Sequence, residues 1–461
     1  MAKFEIKSFR GGKSDYNDRG LFGSYQASKN LDIHGLDDIL TCNYALITDG
    51  NAGSIVTDLI NFFVNGTDGN LYGFGDTGKI YKRTPSAVWS VVYTDPDGEI
   101  TGALEFPLDN NKSYLWWTTS TKLHEKELPG NTGWTDVDTT ITGLLSGTPQ
   151  TFPKTNLTAA TWHSMANADG ALMICNKYYL AMVGFDGTYT NSAVTLRPGS
   201  LSKAITEYGR MVLAGGGDGV QESHLFTWEA EALSWIDKNK IPEPTINAIV
   251  KSELMLMSAG TNGLYYSDMV NTLPISIVDG QANPGGVVEK GGLALFGFYG
   301  GSWSGLWSYG RIKKNESHVL NLEAYLDADE IGAICKVSGQ PFISYQKGAT
   351  HAVRKVDTAT KAVAEYYSLV LSAPKESVWH SIDLETGTIP SGCSIAVYYD
   401  LDSTGSWTQA KMAGDIALAT ATMRDPTFLV GSYGRAIEVK IVLTPNSLLS
   451  PQVANILVNF E

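Results

Sequence analysis

The sequence predicts an all-β protein: a β-propeller of about seven blades with an extended N-terminal arm and a C-terminal β-sandwich. Three observations predict it: a composition rich in turn-forming and aromatic residues, a block recurring about every 44 residues, and a change to longer alternating strands near residue 362. At 461 residues the chain exceeds the roughly 250–300 at which a single core stops growing, so several structural units or a repeat are required. Hydrophobic residues make up 43% of it, ample for burial. Charged residues, at 18%, fall below the roughly 25% of an average soluble domain. With 48 Gly, 22 Tyr and 11 Trp, the composition is that of many short strands joined by tight turns.

Residues 1–38 are polar and Gly-rich with little apolar periodicity, so alone they bury too little surface to offset the entropy of ordering. They are expected to form an arm held by a neighbouring subunit. Residues 39–46, Ile-Leu-Thr-Cys-Asn-Tyr-Ala-Leu, form the candidate strand that closes the ring by pairing into the last blade. The propeller is placed at 39–361. Its clearest repeat runs Ala248-Ile249-Val250, Leu254-Met255-Leu256-Met257, a turn at Gly260 to Gly263, then Leu264-Tyr265-Tyr266. Similar blocks begin near residues 60, 100, 158, 201, 245, 285 and 329, close to the ~40–50 residues of one four-stranded blade. The one long interval contains residues 143–156, a Gly/Pro/Thr-rich insertion. Only 223–239 has a helix-like composition, and its Trp228, Leu233 and Trp235 fit strands equally well. From 362 to 461 the segments 366–371, 379–384, 393–399, 435–443 and 453–460 alternate apolar and polar residues, as half-buried antiparallel strands do. They are expected to make the sandwich.

A formal net charge of −14 gives no basis for binding a phosphate backbone, which needs Lys and Arg. It is compatible with a conduit along which genomic DNA passes without sequence-specific binding. The N-terminal segment has no apolar h-region, and no run of 18 or more apolar residues occurs, so neither a signal peptide nor a membrane-spanning segment is expected. The product is expected to remain in the cytoplasm unless carried out in an assembly. Cys42, Cys175, Cys335 and Cys393 lack C-x-x-C spacing and read as buried thiols. The sequon at Asn156 is then a chance match.

Several segments carry a likeness to a known family: Lys7-Ser8-Phe9-Arg10-Gly11-Gly12-Lys13-Ser14-Asp15-Tyr16, Ser28-Lys29-Asn30-Leu31-Asp32-Ile33, and Leu40-Thr41-Cys42-Asn43-Tyr44-Ala45-Leu46. They resemble the opening of tail structural proteins of tailed bacteriophages, short-tail nozzle and hub proteins among them. Gly434-Arg435-Ala436-Ile437-Glu438-Val439-Lys440-Ile441 and Ser450-Pro451-Gln452-Val453 resemble the closing sandwich of phage virion proteins. The resemblance covers about 60 residues and extends to the propeller only in architecture. It implies a multicopy ring component of the virion tail, held by copies of itself and by other tail or head-tail proteins. The chain is shorter than the nozzle proteins, which leaves tail-tip, fibre-adaptor and head-to-tail positions open. Phe9, Arg10, Gly11, Gly12 and Tyr16 are the expected assembly contacts, since an aromatic and an arginine beside paired glycines suit a close backbone approach. Deleting residues 1–20 is then expected to leave a folded protein that cannot assemble.

No catalytic, cofactor or metal site is expected. With 48 acidic residues some carboxylate pair always exists, but no local signature singles one out for glycoside hydrolysis. Sialidase-type propellers carry repeated Asp-box turns, and the nearest match, Asp402-Ser403-Thr404-Gly405-Ser406-Trp407, has the wrong spacing. Asp400 to Gly405 opens like a calcium loop, yet Lys411 stands where a bidentate Glu is needed, so a β-turn is the better reading. Gly215-Gly216-Gly217-Asp218-Gly219 lacks the Lys-Ser/Thr of a phosphate cradle and reads as a hairpin turn. The serines of Gly301-Ser302-Trp303-Ser304-Gly305 lack the strand-to-helix turn of a nucleophile elbow. His163, His224, His318 and His351 have no metal-ligand spacing and are expected as strand residues. The runner-up function is receptor or glycan binding, with Trp303 and Trp307 as contacts, drawn from Trp116, Trp117, Trp303, Trp307 and Tyr309. Packing between sheets is the default for those rings.

Overall fold

The computed structural model describes the chain except for residues 1, 17, 19, 21, 22, 37, 130–133, 135–139, 142, 143, 146–149, 152–156, 169, 210, 218, 220, 230, 231, 262, 278, 279 and 315. Among the described residues helix is limited to one turn, Ala52–Ile55, and the other regular structure is β. No described helix is long and apolar enough to cross a membrane.

Seven antiparallel meanders follow one another along the chain. Their innermost strands are Ile60–Asn65, Gly102–Pro107, Met165–Ala168, Leu201–Tyr208, Ile246–Lys251, Val287–Lys290 and Glu330–Val337. These fall close to the predicted block starts, and the protein is a seven-bladed propeller. Blade two shows three strands among the described residues, and the predicted insertion at 143–156 lies largely outside them. The segment 223–239 is β: Ser223–Glu229 pairs with Ala232–Ile241 in blade four.

The middle strand of a blade is covered on both faces. In Ala171–Asn176, Leu172 and Ile174 pack toward blade two while Met173 and Cys175 pack toward blade four. Such strands therefore read as continuous apolar runs rather than as an alternation. Among the described residues every neighbouring pair of blades shares a core. The core that joins blade seven to blade one sets Ala333, Phe342 and Val353 against Ile60, Tyr81 and Trp89.

Closure is as predicted in kind and a few residues later in place. Tyr44–Thr48 pairs antiparallel with Thr350–Lys361 as the outermost strand of blade seven. Asp49 follows it, fully buried, and accepts hydrogen bonds from Arg83 Nη2 at 3.1 Å and Trp89 Nε1 at 2.9 Å, both in blade one. Lys355 of blade seven lies 3.1 Å away. One carboxylate thus ties the last blade to the first.

Close approach of inner strands requires glycine at two places. A Cβ on Gly332 would stand 2.1 Å from the Ile60 carbonyl oxygen, and one on Gly102 would stand 2.0 Å from that of His163. Gly332→Ala is expected to cost about 1–3 kcal/mol through overpacking, measured by urea unfolding. Unchanged stability would contradict the packing described. A Cβ on Gly285 would meet the Asn61 carbonyl at 2.0 Å, so the segment entering blade six also touches the innermost strand of blade one.

Beyond Lys361, hydrogen bonding does not divide the strands into the separate sheets of the predicted β-sandwich. It joins them into one nine-stranded antiparallel sheet ordered Ala2–Ile6, Val453–Phe460, Leu371–Thr386, Thr427–Thr444, Ala364–Tyr367, Ala27–Lys29. Ser394–Leu401 is added along the C-terminal half of Thr427–Thr444. Register shifts in the pairing of Leu371–Thr386 with Thr427–Thr444, at Ser372/Ser377 and Trp379/Ser381, bend the sheet around a core of Trp379, Ile382, Val397, Phe428, Val439 and Ile441.

Nor do the described residues of 1–38 form an arm reaching toward another chain. Ala2–Ile6 pairs with Val453–Phe460, Ala27–Lys29 with Ala364–Tyr367, and Leu31–Asp32 with Thr41–Cys42. The physical reason is that Phe9, Tyr25, Leu31 and Ile33 of this stretch are buried in the C-terminal core, with Phe4 and Ile6 packed against it. Too sparse to fold alone, they complete a surface made by the same chain.

Candidate binding cleft

The N-terminal segment, blade six and the C-terminal sheet meet around a cleft of about 510 Å³. Lys13, Ser14 and Asp15 come from the segment following Gly12–Lys13, and Trp303 from the loop before Gly305–Gly310. Tyr367 closes Ala364–Tyr367, Trp407 precedes Thr408–Ala410, and Glu438 belongs to Thr427–Thr444. Three rings stand in a row: Trp303 to Tyr367 at 5.5 Å and 83°, Tyr367 to Trp407 at 5.5 Å and 80°. Such edge-to-face contacts place positive ring edges on negative ring faces. The Lys29 ammonium lies 4.4 Å from the centre of the Trp303 ring.

Behind the rings, the Tyr367 hydroxyl donates to Glu365 at 2.5 Å. Burial acts to raise the Glu365 carboxyl, but that hydrogen bond and the nearby Lys440 and Lys29 charges hold it below its ordinary value. Burial, with the adjacent carboxylate, pushes the Tyr367 phenol well up, so it stays a neutral donor.

The Asp400 to Gly405 turn uses its carboxylates internally. Asp400 accepts from the Thr404 amide at 3.1 Å, the Thr404 hydroxyl at 2.7 Å and the Gly405 amide at 2.6 Å. Asp402 points instead to the amides of Arg435 and Ala436, at 2.7 and 2.9 Å. The two do not converge as calcium ligands do. A different group, Asp95, Asp97 and His124, brings ligand atoms within 4.8 Å of one another. There Lys122 Nζ lies 2.7 and 2.8 Å from the two oxygens of Asp97, and Trp117 Nε1 donates to Asp95 at 2.7 Å. A lysine supplies the positive charge in this group.

Of the predicted contacts, the structure brings Trp303 and Trp307 to the cleft. Trp307 is 5% exposed, donates to the Trp303 carbonyl at 3.1 Å and belongs to the core between blades five and six. Trp303 also holds the central place that a nucleophile elbow gives to serine. Trp116, Trp117 and Tyr309 are buried between blades, Trp116 and Trp117 facing opposite neighbours. The five expected assembly residues are placed differently from expectation. Phe9 is 1% exposed and packs edge-on against Tyr366 at 5.5 Å. Arg10 Nη1 reaches Glu316 at 2.7 Å. Gly11 and Gly12 do mark a close backbone approach, but to Ser24 and to Val319 in the outer strand of blade six: added Cβ atoms would stand 2.2 and 2.8 Å from them. Only Tyr16, 55% exposed, keeps an open face. Tyr367, Trp407, Asp15 and Glu438 escaped the sequence reading, since no local pattern joins residues so far apart.

His163 precedes blade three, fully buried, with Nδ1 3.0 Å from the Thr101 hydroxyl and Nε2 3.1 Å from the Thr158 carbonyl. Burial pulls it down to about 4. A depressed histidine contributes stability above its unfolded pKa of about 6.5, lost as pH falls through the folded value. Wild type is therefore expected to lose more stability than His163→Gln between neutral pH and pH about 5, read by urea unfolding at each pH. Parallel profiles would contradict this. His318 also lies just before its strand, while His224 and His351 are strand residues. All four cysteines are free and buried.

No family model and no curated protein matches the sequence. Among solved structures, the RRP9 WD40 repeats are similar at TM-score 0.48 and 12% identity, covering 68% of this chain and 99% of that one. A chain of the mitotic checkpoint complex is similar at TM-score 0.45 and 10% identity, covering 69% and 95%. The extracellular domain of the putative one-component system BT4673 from B. thetaiotaomicron is similar at TM-score 0.45 and 11% identity, covering 84% of this chain and 48% of that one. None of the three is described as a phage protein.

Proposed function

We propose that the protein is a non-catalytic structural subunit of a tailed-phage tail, acting by assembly with copies of itself and with other tail or head-tail proteins. One observation carries the reading. The segments with the phage-tail resemblance, near the two ends of the chain, fold into one core: Phe9, Leu31, Ile33, Leu40 and Cys42 pack with Ile437, Val439, Ile441 and Val453. A sequence likeness split between two distant segments is what a single shared structural unit produces. The propeller is fastened to that unit, since Gly12 and Asn43 contact blade six, Asn43 Nδ2 donating to Glu323 at 2.6 Å. The result is a rigid body suited to repetition in a ring.

Assembly contacts belong on surface that is still open. Leu429 and Tyr433, 54% and 72% exposed, lie on one face of Thr427–Thr444, and Tyr16 is exposed on the N-terminal segment. Each offers exposed apolar area to a contact with another chain. Mass photometry and electron microscopy of the purified chain, alone and mixed with tail proteins, test the proposal. Closed rings that Tyr433→Asp disperses are expected. A strict monomer that joins no particle overturns it.

A further inference from the structure

We propose that the cleft between the N-terminal segment, blade six and the C-terminal sheet binds a neutral oligosaccharide. The inference goes beyond the assembly role and stands or falls separately from it. At about 510 Å³ the cleft lies within the roughly 300–1,000 Å³ of small-ligand sites. Its apolar wall is the row Trp303, Tyr367, Trp407, supplied by three elements distant in the chain and aligned only by the fold. Rings of this kind offer flat apolar area beside polar groups, matching a pyranose with its C–H face and its equatorial hydroxyls.

The same lining supplies hydrogen-bonding groups. Asp15 accepts the Ser276 hydroxyl at 2.5 Å, and Glu438 accepts that of Ser403 at 2.5 Å. Both carboxylates line the cleft, where carboxylate oxygens can accept the vicinal hydroxyls of a sugar. Charge selects against anions: Asp15, Asp400 and Glu438 line the cleft against Lys13 alone. The nearby Lys29 and Lys440 ammoniums, over Trp303 and Tyr367, are paired with Glu365 at 3.7 and 3.3 Å. A phosphorylated, sulfated or uronic acid ligand would therefore be repelled.

The test applies the full chain to an array of neutral and anionic oligosaccharides beside an array of proline-rich and basic peptides. Tryptophan fluorescence titration with each retained sugar follows. Neutral sugars should be retained and anionic ones not. Trp407→Ala and Asp15→Asn should each weaken binding at least about tenfold with unchanged circular dichroism and unfolding midpoint, while Trp407→Phe keeps most of the affinity. If Trp407→Ala does not fold, Asp15→Asn and Trp407→Phe decide. Retention of no neutral sugar, affinity unchanged in the folded variants, or saturable binding to peptides only would overturn the proposal.

Discussion

Phe9→Ala is expected to lower the stability of the C-terminal unit by about 3–5 kcal/mol, the range for removing a fully buried phenylalanine. The ring is 1% exposed and meets Tyr366 edge-on, with Tyr25 on the same partner ring at 5.9 Å. Alanine leaves a cavity between the N-terminal segment and the sheet. Urea unfolding followed by near-ultraviolet circular dichroism measures the loss, and Tyr16→Ala, at an exposed position, should stay within about 0.5 kcal/mol of wild type. Deletion of residues 1–20 should act in the same direction and more strongly, because it also removes Phe4, stacked 5.0 Å from Phe460. The expectation from sequence, a truncated protein folded but unable to assemble, is revised accordingly. Wild-type stability in Phe9→Ala would mean that the N-terminal segment is not part of the core.

Asp49→Ala should cost a comparable 3–5 kcal/mol, the penalty for leaving a buried charge without its partner. Arg83, 7% exposed, would then be stranded beside Trp89, and Lys355 would lose its nearest anion. The effect should concentrate at the seam between blades seven and one, so hydrogen exchange should rise in Tyr44–Thr48 and Lys79–Arg83 before other blades respond. Burial acts to raise the Asp49 carboxyl, but hydrogen bonds from Arg83, Trp89 and Lys355 outweigh it and hold the group below its usual range. A depressed carboxylate contributes stability that is present above its unfolded pKa of about 3.9 and lost as pH falls through the lower folded value. Wild type should therefore lose stability more steeply than the variant on strong acidification. Equal exchange at the seam in both proteins would refute the clasp.

The propeller was legible because two-sided burial leaves a local mark. Strands such as Met255–Ala259 and Leu293–Phe298 are apolar at nearly every position, and Gly-containing turns recur between them. The closing strand could be located because only one apolar stretch precedes the first block. What the sequence hides is pairing across great separation. Ala2 lies opposite Phe460, and nothing in Ala-Lys-Phe-Glu-Ile marks it as the edge of a sheet built mostly from the other end of the chain. The long strands Leu371–Thr386 and Thr427–Thr444 alternate as expected, but alternation does not tell whether strands form two sheets or one bent sheet. In the cleft, Trp303 was visible as an aromatic in a turn. Trp407 lies just past a segment read as a β-turn, and only folding puts it beside Tyr367. Asp49 carried no signal, since a lone carboxylate after a strand is ordinary until Arg83 and Trp89 are seen around it.

Chain order at the ring seam and the sheet edge has a consequence for biosynthesis. The strands Ala2–Ile6 and Tyr44–Thr48 leave the ribosome early, yet their partners, Val453–Phe460 and Thr350–Lys361, are among the later parts translated. Contacts spanning such separations form slowly, and unpaired strand edges invite association with other chains in the meantime. The nascent protein must therefore carry both strands unpaired until those partners emerge, and a chain stopped before residue 350 keeps both latches open. Fastening of Ala2–Ile6 reports that Val453–Phe460 has been made.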